Sequence, residues 1–258
     1  MNAMSVAPER WPVVPRLAVR DVPPPAAATA PRISFIVPAF NEGRTIGEVL
    51  DRIAALELDA QVVVVDDGSW DGTADVLERW AAMGDGRHVI RQPNRGKGAA
   101  IRAAVPYVDG EIVVIQDADM EYDPADVPTL VEPIARGVAD VVFGSRLSGG
   151  RPQRAYLFWH LVGNRFLSLL TNVLFNTTLS DMETGYKAMR ADVLRSLALT
   201  RDDFGIEPEI TGKVCARKLR IYEVPIAYYG RTYSEGKKIT WTDGLKAIKV
   251  LMAVRLRG

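Results

Sequence analysis

A single cysteine, Cys215, occurs in 258 residues. No internal disulfide can form and no thiolate metal centre has its ligands, so a reducing cytosol fits and Cys215 reads as a small packed hydrophobe. Net charge is lacking too. The 32 Lys and Arg residues offset 32 Asp and Glu, so no global field recruits nucleic acid and any basic surface is local. Long apolar runs are missing: His160, Asn164, Arg165 and Asn172 interrupt the greasiest stretch, residues 156–175, which argues against a spanning helix of about 20 apolar residues. No secretory signal is legible, because Arg10, Arg16, Arg20 and Asp21 break up the start of the chain. These exclusions place the chain in the cytoplasm, at most peripheral on the inner face of a membrane. Finally, Pro38-Ala39-Phe40-Asn41-Glu42 follows the first expected strand where a nucleotidyltransferase would want a glycine-rich phosphate loop, so that chemistry ranks last.

With 48% hydrophobic residues, the chain can bury one full core, and a second domain would be cramped. Residues 1–31 are rich in proline and alanine and show no lasting periodicity, the mark of a disordered arm. From residue 32 onward, short β-branched runs alternate with amphipathic stretches. Strands are predicted over residues 32–38, 61–66, 88–91, 112–115 and 139–144, with helices between them, as in an α/β fold with a mostly parallel sheet. This unit extends to about residue 240. Residues 241–258 form an amphipathic helix that either packs on the body with its lysines outward or lies on an anionic membrane surface.

The carboxyl ends of parallel strands are where such folds bind ligands. The run Ile112 to Ile115 leads directly into Asp117 and Asp119, which suit a divalent cation bridged to a diphosphate, although Asp-x-Asp after a strand is also ordinary turn chemistry. Asp123 before Pro124 reads as a helix cap. Asp66-Asp67-Gly68-Ser69 could accept hydrogen bonds from a ribose or base, or be a plain turn. Gly96-Lys97-Gly98 could offer backbone N–H groups and an ammonium to phosphate. Further on, Arg146 to Arg154 make a basic loop. Leu157, Phe158, Leu161, Val162, Phe166, Leu169, Leu170 and Val173 form a broad apolar helix face, while His160, Asn164 and Ser168 form a narrow polar stripe facing a cleft or water. Glu207 and Glu209 open another helix, where the dipole alone would explain them.

Taken in order, Ile36-Val37-Pro38-Ala39-Phe40-Asn41-Glu42, Asp66-Asp67-Gly68-Ser69, Asn94-Arg95-Gly96-Lys97-Gly98 and Gln116-Asp117-Ala118-Asp119 resemble the family 2 glycosyltransferases. Gly144-Ser145-Arg146, Ser180-Asp181-Met182-Glu183-Thr184-Gly185-Tyr186-Lys187 and Phe204-Gly205-Ile206-Glu207-Pro208-Glu209 look like the branch of dolichyl- and polyprenyl-phosphate sugar synthases. The resemblance spans roughly residues 32–240. It implies the A-type nucleotide-sugar transferase fold and an inverting transfer of a hexose from a UDP- or GDP-sugar, with Mg²⁺ or Mn²⁺. Pro38, Ala39, Asn41, Glu42, Asp66, Asp67, Lys97, Asp117 and Ala118 would hold the donor, with Arg231 and Lys237 on a loop closing over it. Asp117 and Asp119 would work around the metal, joined by Glu121, a position where the branch often carries Gln. Arg146, His160 and Asn164 would approach the phosphate of a polyprenyl acceptor. A soluble hydroxyl acceptor would instead need a base, for which Asp181 is the candidate. A nucleotide-sugar-binding protein without turnover is the alternative from another class, and the acceptor-side arginines weigh against it.

Overall fold

The computed structural model describes residues 31–155, 158–231 and 241–257, so all but the last residue of the proline-rich arm lies outside it. The β-branched runs become strands β1 (Ile33–Ala39), β2 (Ala60–Asp66), β3 (Arg87–Arg91), β4 (Ile112–Ile115), β5 (Val141–Ser145), β6 (Lys187–Arg190) and β7 (Ile221–Pro225). They form one sheet in the order β3-β2-β1-β4-β6-β5-β7. Pro225, which cannot donate to a ladder, falls on the edge strand β7. Consecutive residues of β2 bury on alternate faces. Val62 and Val64 join a core with helices α1 (Ile46–Ala54), α2 (Thr73–Ala81) and α4 (Val127–Ala135). Val63 and Val65 face α3 (Lys97–Ala104), α6 (Ala191–Ser196), α7 (Ile206–Ala216) and α8 (Trp241–Arg257).

Strand β6 is antiparallel to both neighbours, while the other pairs are parallel. That reversal matters for function. The residues leading into β6, 180–186, arrive at the same sheet edge where β1, β2 and β4 end, and so bring the second half of the chain to the first half's carboxylates.

Helix α5 (Phe158–Phe175) departs from the usual arrangement. Ser168 and Thr171 are buried, while Phe158, Val162, Phe166, Leu169 and Val173 of the apolar face are exposed. The polar stripe therefore faces inward. Its hydrogen bonds explain why: Asn164 Nδ2 donates to Asp181 at 2.8 Å, Ser168 Oγ accepts from Met182 N at 3.1 Å, and Asn172 exchanges two bonds with Leu179. These side chains satisfy a loop that has few strand partners of its own.

Candidate active site

Just beyond β4, Asp117 Oδ1 lies 2.6 Å from Lys97 Nζ, and that ammonium is 3.1 Å from Glu207 Oε1. Glu207 Oε2 in turn sits 2.6 Å from Lys187 Nζ, which is wholly buried and also donates to the Thr184 carbonyl. Four groups thus alternate in sign from the cleft floor into the core. Burial alone would lower the Lys97 pKa, but Asp117 and Glu207 raise it overall. Glu207, likewise penalised by burial, is held below the ordinary range by Lys187 and Lys97. The helix dipole is therefore not its explanation. Lys187 escaped the sequence reading although a signal existed, a lysine opening a short strand and followed by Ala188 and Met189. Gly185 leaves room for the first pair, since a Cβ there would meet Asp117 Oδ2 at 2.8 Å and Lys97 Nζ at 2.9 Å.

Asp119 belongs to a second cluster. Its Oδ1 accepts from Glu121 N at 3.1 Å, helped by a left-handed Met120 at φ 61°, and its Oδ2 accepts from Arg231. Arg231 also forks onto both oxygens of Glu42 at 3.2 Å. Burial, then the charges of Asp117 and Glu121, push the Asp119 carboxyl up to about 7 despite Arg231. Such a surplus of negative charge, with a guanidinium seated in it, suits a bound divalent cation, which needs only one or two carboxylates plus phosphate oxygens. Asp117 and Asp119 fit that requirement. Glu121, expected to join them, ties down the 228–231 segment: Oε2 accepts from Tyr228 OH and Oε1 from Arg231 N, both at 2.8 Å, which leaves each oxygen one lone pair. Among the described residues no three carboxylate, imidazole or thiol groups converge as a ready-made metal cage.

A cleft of about 1530 Å³ opens over both clusters, bordered by Pro38, Ala39, Glu42, Asp67, Lys97, Asp117, Ala118 and Asp119. Asp67 accepts from Gln92 Nε2, Arg95 N and Gly96 N within 2.9 Å, so it fixes the loop that starts α3. Asp66 caps Ser69 N, and Asn41 bonds Ser69 and Trp70, tying the β1 and β2 loops together from behind the cleft. Lys237 lies outside the described residues.

Arg146, His160 and Asn164 also border the cleft. Arg146 makes a two-pronged bond to Asp181 through Nε and Nη2, both 2.7 Å, and packs on the Tyr228 ring. Asp181 also accepts from Arg146 N and Asn164. Burial would raise its pKa, but Arg146 and Asn164 keep it low. A carboxylate so held is a poor proton acceptor, so Asp181 orients Arg146 rather than serving as the base. Glu223 of β7 supports it by accepting from Ser180 N and Asp181 N.

Glu183, quoted only within a motif, proves to border the cleft with a buried Oε1 that has no hydrogen-bond partner among the described residues. Burial pushes its carboxyl up to about 7, partly offset by Lys187 and reinforced by Glu207. Above an unfolded value near 4.5 the folded protein binds the extra proton, so metal-free stability falls as pH rises through that value towards 7. Asp119 adds a slope of the same sign. Glu183→Gln is expected to flatten, not abolish, this slope in thermal melts between pH 5 and 8 (about the window of the shift); an unchanged slope would contradict the assignment.

The family model described as Glycosyl transferase family 2 matches residues 34–198. The glycosyltransferase AglJ of Haloferax volcanii is 32% identical over 204 residues, 79% of this chain and 65% of its own length. The undecaprenyl-phosphate mannosyltransferase of Micrococcus luteus is 31% identical over 219 residues, 80% of this chain and 87% of its own. Among solved structures, the glucosyl-3-phosphoglycerate synthase of Mycobacterium tuberculosis, in complex with Mn²⁺, UDP-glucose and phosphoglyceric acid, superposes with a TM-score of 0.64 at 23% identity, over 87% of this chain and 80% of that one. At that identity the likeness concerns the fold.

Proposed function

Because the chain belongs to glycosyl transferase family 2, we propose that it moves a hexose, with inversion, from a UDP- or GDP-sugar to a polyprenyl phosphate, using Mg²⁺ or Mn²⁺. The observation that carries this reading is one cleft lined both by the carboxylate pair Asp117 and Asp119 and by a carboxylate-oriented arginine, Arg146. Asp117 and Asp119 would hold the metal, which supplies positive charge to the departing diphosphate. Lys97 and Arg231, paired here with Asp117 and Asp119, would turn donors to the phosphates. The bonds to Asp181 use Nε and Nη2 of Arg146, which leaves Nη1 for an acceptor phosphate. That phosphate is already ionised, so no general base is required and alignment dominates.

A soluble hydroxyl acceptor is the second reading, favoured by Glu183, whose free oxygen and pKa of about 7 suit proton removal. Transfer assays with UDP- and GDP-hexoses, Mn²⁺ or Mg²⁺, and a polyprenyl phosphate added or withheld separate the two. Turnover stimulated by the lipid phosphate is expected; slow donor hydrolysis indifferent to it would favour the hydroxyl reading. Arg146→Ala is expected to raise the acceptor KM by about tenfold or more while changing donor affinity little. Lost donor affinity with unchanged acceptor saturation would reverse the assignment.

A further inference from the structure

Asp181 holds Arg146 along one edge of its guanidinium, where Nε and Nη2 both donate at 2.7 Å. A forked pair of this kind fixes that edge, but the plane can still pitch about it, and Nη1 swings with the pitch. An aromatic face limits that motion. The Arg146 guanidinium carbon lies 5.1 Å from the centroid of the Tyr228 ring, within cation–π range. Tyr228 lines the cleft yet has no part in the chemistry described above.

The ring is itself firmly placed. It packs on Tyr122 with centroids 5.5 Å apart, and Tyr122 stacks on Tyr186 at 5.1 Å. Those two rings are buried and their hydroxyls engaged: Tyr122 accepts from Gly185 N at 3.0 Å, and Tyr186 donates to the Asp123 carbonyl at 3.1 Å. The Tyr228 hydroxyl donates to Glu121 Oε2 at 2.8 Å. Its main chain grips the basic loop, since Tyr228 N donates to the Pro152 carbonyl and Arg154 N to the Tyr228 carbonyl, both at 3.0 Å. An incidental surface ring has no reason to be fixed by its face, its hydroxyl and its main chain at once.

We infer that Tyr228 is a positioning residue: its ring, carried on the Tyr186–Tyr122 stack and pinned by Glu121, sets the plane of Arg146 and so aims Nη1 at the acceptor. One side chain thereby reaches from the carboxylates around Asp119 to the arginine of the acceptor site, and fixes the spacing on which in-line attack depends. The inference rests on the polyprenyl-phosphate reading for the identity of the anion, and on the contacts alone for the placement of Arg146.

The test compares Tyr228→Phe, which keeps the ring face, with Tyr228→Met, which keeps apolar bulk without it; Tyr228→Leu replaces the Met variant if that chain does not fold. Both lose the hydroxyl, so any disturbance passed through Glu121 to Arg231 is common to them, and their difference reads the ring face. With soluble geranyl phosphate as acceptor, Phe is expected to keep the acceptor KM within about twofold of the parent's, and Met to raise it about tenfold. In an Arg146→Ala background the Met substitution should raise it no further, because its effect runs through that arginine. Equal KM values for Phe and Met, or a further tenfold rise in the Arg146→Ala background, would overturn the inference. If geranyl phosphate neither accepts sugar nor binds in calorimetry, the acceptor reading falls, and crystal structures of the parent and the Met variant judge the positioning by themselves. A guanidinium turned off its plane upholds it; one that has not moved overturns it.

Discussion

Asp119→Asn is expected to lower turnover by about two to three orders of magnitude while leaving metal-free stability at pH 8 no lower than the parent's. The two halves of this result have one cause. Asp119 is buried beside Asp117 and Glu121, which push its carboxyl up to about 7. At pH 8 it is therefore ionised against the preference of its surroundings, and replacing it with a neutral isostere relieves that repulsion. Arg231 keeps Glu42 and Glu121 as partners, so the variant leaves no stranded cation. The folded state binds the Asp119 proton more tightly than the unfolded chain, so its contribution declines as pH rises towards 7 and the benefit of Asn appears above that. Steady-state rates at saturating Mn²⁺, with melts at pH 5 and 8, check both halves. Near-parent turnover would remove Asp119 from the chemistry. A large drop in melting temperature would make its role structural instead.

The strands were legible because their signal is local. Four consecutive valines in β2 and the run of β4 admit little else, and the carboxylates at their ends follow from chain direction. What escaped the sequence depends on pairings distant along the chain. Glu121 gives no local sign that Tyr228 and Arg231, more than 100 residues away, donate to its two oxygens. Asp181 looked like a base because nothing nearby in sequence indicates Arg146, 35 residues earlier, folded onto it. Periodicity found both faces of α5 but could not orient them, since hydrophobic burial and hydrogen-bond satisfaction of the 180–182 loop pull opposite faces inward. Here the loop prevailed, and the exposed apolar face is a consequence of satisfying it.

Glu207→Gln should prove the most destabilising single change among the site carboxylates, lowering stability by about 3–5 kcal/mol as read from urea midpoints. Lys187 has no exposed side-chain surface, and Glu207 is the one carboxylate among the described residues within ion-pair distance of it. Removing that charge strands a buried ammonium whose remaining partners, the Thr184 carbonyl and the Phe143 ring face 4.9 Å away, are both uncharged. Lys97 suffers less, because Asp117 remains 2.6 Å away. Lys187→Met in the same chain removes the stranded ammonium and should recover most of the loss, since an apolar pair of similar volume costs little where a broken ion pair costs much. Turnover should not recover with it. Lys97 would then answer to Asp117 alone and draw towards that carboxylate, proposed above as a metal ligand, leaving kcat down by about tenfold while the fold is restored. If stability and turnover return together, the Asp117, Lys97, Glu207 and Lys187 chain only holds the fold. If stability returns alone, the buried half of that chain sets the position of Lys97, and a lysine that never meets substrate contributes to catalysis through the charge it neutralises.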